Sequence, residues 1–151
     1  MQDGLGDGDF DVRLACAQAI SRMVSRSDEL RVRRQIVFQA VARELQRSVM
    51  RGPQTGPPPR FENIGLDAQF HYVFMLLGTL FEPEAVDLSR KALISGDLNQ
   101  RGIALEYLEN VLPPSISNGL WERLGIAHST RSAKRSRKLV LEELMQLARA
   151  R

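Results

Sequence analysis

The spacing of its apolar residues is what most limits how this chain can fold. Between Asp97 and Pro113, the residues Ala104, Tyr107, Leu108, Val111 and Leu112 recur at intervals of three and four. Glu106, Glu109 and Asn110 fall on the opposite side, which describes an amphipathic helix with a wide apolar face. Asp97 reads as its N-cap, and Pro113 and Pro114 end it. Alone such a helix is marginal. Burying five such side chains at about 1.5–3 kcal/mol each requires other helices to cover them.

The same period runs through the rest of the chain. The chain begins at a helix, and Asp28 to Met50 reads as another, with Val32, Ile36, Val37, Ala40, Val41 and Leu45 on one stripe. RGPQTGPPPR, residues 51–60, can enter neither helix nor sheet and reads as an exposed, partly polyproline loop. A helix is expected from about Asp67 to Phe81, and another after Pro83, whose missing N–H is harmless in a first turn. A short helix follows Pro114 through Leu124, and the last spans about Ser136 to Ala150. No stretch sustains apolar alternation, and aromatics are only 6 %, so no sheet is expected. The 151 residues fit one domain, residues 1–151, and their 43 % hydrophobic content suffices for a core.

Two stretches align without a gap. GDFDVRLACAQAI, Gly8 to Ile20, matches GDLNQRGIALEYL, Gly96 to Leu108, so that Asp9 and Arg13 correspond to Asp97 and Arg101. RKLVLEEL, beginning at Arg137, matches RGIALEYL from Arg101. The offsets are 88 and 36 residues, and the first is roughly twice the 40–47-residue period of HEAT-type helical repeats. The expectation is therefore all-α: a short α-solenoid of HEAT-like helix pairs with about six or seven helices.

Residues 70–112 also resemble the HEAT-repeat segment that follows the membrane part of bacterial ATP/ADP (nucleotide exchange) transporter-like proteins. The matching features are Leu76, Leu77 and Gly78 at a helix end, and Pro83 and Glu84 at a helix start. Ser95 and Asp97 at a turn, Ala104 to Leu108, and Asn110 complete them, with Glu109 where that pattern has Asp. The resemblance implies a helical module on the cytosolic side of a larger membrane protein. It also implies that Arg13, Arg101 and Arg137 are structural, each meeting an Asp of a neighbouring repeat. The abrupt start at a helix leads to the same expectation of a larger parent chain. No transport residue carries over.

Catalytic and metal chemistry find little support in the residue pattern. Asp7, Asp9 and Asp11 alternate as early EF-hand ligands do, but Val12 and Gln18 stand where Gly and Glu are needed, so a capping turn is the better reading. His71 and His128 belong to no metal motif. The single Cys16, between Ala15 and Ala17, reads as core and excludes an internal disulfide. An enzyme would need convergent acids beside a large aromatic, for which Tyr72 and Trp121 are the obvious candidates. No cofactor, metal or small-molecule substrate is expected. The start MQDGLGDGDFD has no signal-peptide pattern, and no run approaches the roughly 18 apolar residues of a membrane span. A cytoplasmic location follows as an expectation, at the membrane face if the parent protein is anchored there.

Charge is concentrated locally although the net is only +3. HSTRSAKRSRK, residues 128–138, carries Arg131, Lys134, Arg135, Arg137 and Lys138 without an acid, and Arg31, Arg33 and Arg34 form a second group. Such a run either contacts phosphate, on an anionic lipid surface or a nucleic acid, or is a solvated linker. The leading expectation is a non-enzymatic interaction or regulatory module that binds a protein, a peptide or a neighbouring domain. The alternative is a nucleic-acid-binding helical-repeat protein using the basic segment.

Overall fold

The structure is a computed structural model that describes residues 2–27, 32–50, 68–95, 97–124 and 136–150, with the backbone alone for 48–50. The loop expected at 51–60 and most of the basic segment lie outside these residues. Among them are seven α-helices, a 3-10 turn at Asp3–Gly6 and no strand. In chain order the helices are α1 (Phe10–Arg26), α2 (Arg34–Met50), α3 (Ala68–Gly78), α4 (Pro83–Ile94), α5 (Leu98–Val111), α6 (Pro114–Leu124) and α7 (Arg137–Arg149).

Local chemistry sets the helix ends. Asp9 caps α1 by accepting the Asp11 N–H at 2.8 Å, and Asp97 caps α5 by accepting from Asn99 and Gln100 at 2.9 and 3.2 Å. Pro83 and Pro114 occupy the first position of α4 and α6. Two expected boundaries move. Val32 and Arg33 precede α2 as non-helical residues, so that helix starts later than its apolar stripe indicated. Helix α3 stops at Gly78 rather than Phe81, because the chain tightens into a turn in which the Thr79 hydroxyl and Leu80 N–H return to the Leu76 and Leu77 carbonyls. Asp97→Ala is expected to cost about 1 kcal/mol, since two N–H groups lose their acceptor; a urea melt of the variant measures it.

Helix α3 holds the N-terminal half together. Phe70, Tyr72, Val73, Phe74, Leu76 and Leu77 are all buried, an almost unbroken apolar surface that calls for neighbours on several sides. It has them, for α1, α2 and α4 all pack on it. The C-terminal half is a triad in which α4, α5 and α7 pack on one another, around Leu93, Ile103, Tyr107, Leu108, Val140 and Leu144. Helix α6 lies against α2, where Gly119 permits the approach: a Cβ there would sit 3.3 Å from Leu45 Cδ1. The Trp121 indole donates to Glu109 at 3.2 Å and ties α6 to α5. These elements share one continuous core. Cys16, partly buried, packs against the 3-10 turn with its Sγ in the space that a Cβ on Gly4 would need.

The pattern of neighbours combines stacking with closure. Helices α3, α4 and α5 follow one another as sequential partners, and α1 on α3 and α5 on α7 repeat a two-element step. The α2–α6 and α4–α7 contacts join elements further apart in the chain.

Candidate interaction groove

The gapless alignment between residues 8–20 and 96–108 corresponds to one local structure built twice. Asp9 N–H donates to the Asp7 carboxylate at 2.8 Å, and Asp97 N–H donates to the Ser95 hydroxyl at 3.3 Å. Arg13 turns back to donate to the Asp7 and Gly8 carbonyls, both at 2.9 Å, while Arg101 donates to the Ser95 carbonyl at 2.7 Å. Asp7 and Ser95 are themselves 88 residues apart, so the equivalence extends one residue before the aligned stretch. In each copy the guanidinium closes the turn that leads into the helix. Arg137 has different surroundings: it is the first residue of α7 and is exposed.

Arg13 has a further partner that spacing gave no sign of. Its guanidinium lies 3.0 Å from Glu44 of α2, and the two side chains are 5 % and 2 % exposed. Gln69 donates to the same carboxylate at 3.0 Å, and Arg47 approaches it to 3.9 Å. With both oxygens engaged, Glu44 is a structural group rather than an available acid.

The other singled-out residues are scattered. Arg131, Lys134, Arg135 and His128 lie outside the described residues. Lys138 is exposed, 4.0 Å from Glu142. Tyr72 is fully buried with its ring edge-on to Phe10; burial chiefly, helped by the Glu44 charge, pushes its phenol up to about 12, so it stays protonated at neutral pH. Tyr107 is raised for the same reason, burial, with the Arg137 charge opposing. Trp121 is buried between helices. Among the described residues no group of three His, Cys, Asp or Glu side chains could hold a metal ion, and no helix is long and apolar enough to cross a membrane.

A concavity forms where α1 and α4 pack on either side of α3. It is an open groove of about 630 Å³. Helix α3 contributes His71, Phe74, Met75 and Gly78, the positions i, i+3, i+4 and i+7 of one face. Helix α1 contributes Gln18, Ser21, Arg22 and Ser25, the same spacing. Helix α4 contributes Pro83, Val86, Asp87 and Arg90, the same spacing again. Three helices thus turn one two-turn face each toward a common space, with α3 packed against both of the others. Val24, Leu80 and Phe81 add apolar wall, and Arg34 lies over the Phe81 ring at 5.8 Å.

The electrostatics of the groove are simple. Asp87 is bound by both Arg90 and Lys91, at 2.9 and 2.7 Å. Burial raises its carboxyl, but the two cations outweigh that and the net shift is downward, so Asp87 is ionised and already satisfied. Arg22, exposed on α1, has no carboxylate partner among the described residues. Sequence reading missed this site because each of the three faces looks like an ordinary helix surface. The shared spacing was visible, but which faces converge was not. A comparison with known protein families, curated proteins and solved structures finds no match.

Proposed function

We propose that this chain is a non-enzymatic interaction module of stacked helix pairs, working through the groove between α1, α3 and α4, within a larger, membrane-associated protein. The observation that carries the reading is the convergence of three two-turn helix faces on one open groove with an apolar floor and a polar rim. Recognition surfaces combine these elements: buried apolar contact for affinity and a few placed polar groups for orientation. The duplicated cap-and-arginine turn supports a repeat origin for the scaffold, and the α1–α3 and α5–α7 contacts support helix-pair stacking. The resemblance of residues 70–112 to the transporter-associated segment is what supports a membrane-associated parent.

One experiment addresses both parts. A photo-crosslinking amino acid is placed at Met75, in the groove, or at Gln146, exposed on α7, and cells producing the protein are irradiated, fractionated and blotted. Adducts specific to Met75, on a parent band heavier than 17.0 kDa in the membrane fraction, are the expected result. Adducts at Gln146 but none at Met75 would remove the groove from the reading. A soluble parent band near 17.0 kDa would remove the membrane-associated parent.

A further inference from the structure

We propose that the occupant of this groove is an amphipathic α-helix of a partner protein, two to three turns long, with acidic residues flanking its apolar stripe. The proposal rests on the interaction reading above and gives its surface a ligand. The dimensions carry the first step. An i to i+7 face spans about 10 Å of helix, and all three lining helices offer a face of that length, so the lining matches an occupant about two helical turns long. Helices pack at about 8–10 Å between axes, so a fourth helix laid along α3 between α1 and α4 meets the lining side chains directly.

The chemistry of the lining carries the second step. Phe74 and Val86 are the buried apolar lining residues, and partly buried Met75, whose thioether adapts to the shape above it, lines the groove with them. At Gly78 the floor is bare: a Cβ there would meet only Pro83 Cα, at 4.0 Å. A bulky apolar side chain of the occupant fits over that position. On the α1 wall, Ser21 and Ser25 are short and let a helix backbone come close.

Charge carries the third step. The groove offers Arg22 without a carboxylate and Arg90 sharing Asp87 with Lys91, so its unsatisfied charge is positive. Glu82 and Glu84 are exposed beside Pro83, two turns from Arg90 on α4, and give the far end the opposite sign. An occupant with carboxylates at the Arg22 and Arg90 positions, and none beside Pro83, meets complementary charge along its length.

Fluorescence anisotropy tests the proposal, using the full chain and two labelled synthetic helices of about twelve residues. Both carry leucines at i, i+3, i+4 and i+7; one is flanked by glutamates and the other by lysines. The glutamate helix is expected to bind at least about tenfold more tightly, and to weaken as salt rises from roughly 50 to 500 mM. Arg22→Glu, at an exposed position, is expected to weaken the glutamate helix about tenfold and to improve the lysine helix. Gly78→Leu, which plugs the floor where the backbone accepts a side chain, is expected to abolish binding of both. Equal affinity for the two helices, or indifference to both substitutions, would overturn the proposal. Self-association of the unmodified chain that Gly78→Leu abolishes would overturn it in favour of a second copy as occupant. A Met75 crosslink in cells combined with failure of the glutamate helix would reject this ligand while leaving the groove as an interaction site.

Discussion

Arg13→Met is expected to destabilise the protein by about 3–5 kcal/mol, a large part of the roughly 5–15 kcal/mol that holds a domain of this kind folded. The substitution leaves Glu44 as a carboxylate that is 2 % exposed, with Gln69 and a distant Arg47 as its remaining partners. It also frees the Asp7 and Gly8 carbonyls that Arg13 holds at the entrance to α1. The double substitution Arg13→Met with Glu44→Leu is expected to recover much of the loss, because no charge then remains buried. Urea denaturation of the two single variants and the double measures the coupling as a thermodynamic cycle. If the double variant loses the sum of the two single losses, the pair is not coupled and this account of it fails.

Leu108→Asp is expected to have the other large effect, enough to leave the described fold unpopulated at room temperature. Leu108 is 0 % exposed, on the face of α5 that packs in the triad with α4 and α7. A carboxylate there is desolvated among apolar side chains, at a cost of several kcal/mol on top of the lost leucine burial. Leu98→Asp on the same helix is the control. Leu98 is 77 % exposed at the first position of α5, where an acid is favourable, so its expected effect lies within about 0.5 kcal/mol. Thermal unfolding followed by circular dichroism distinguishes them, and an unchanged melting temperature for Leu108→Asp would contradict the packing of α5 described above.

Both substitutions lie on helices that the sequence marks clearly, yet only the burial of Leu108, and the partner of neither residue, could be read from sequence. That Leu108 is buried follows from the three-and-four spacing around it, since a helix with such a stripe must cover it. That Arg13 meets Glu44 does not follow, because the two are 31 residues apart on different helices and nothing in either local pattern refers to the other. The resemblance to stacked repeats implied an Asp partner for this arginine. The side chain instead reaches a Glu of α2 and the carbonyls of its own turn.

By itself, the sequence determined what is local. The all-α class, the caps at Asp9 and Asp97, the proline starts of α4 and α6 and the equivalence of the two arginine turns all depend on interactions within about seven residues, which is the range that residue order encodes directly. The tertiary structure decided what depends on the relative placement of helices. It set α2 against α6, surrounded α3 with three neighbours, buried Glu44, and brought the faces of α1, α3 and α4 together over a groove. An apolar stripe requires that something cover it and is indifferent to what does, because burial depends on area and carries no direction. Which helix covers which stripe, and so which polar faces are left to meet in a groove, is settled by the packing of all the stripes at once.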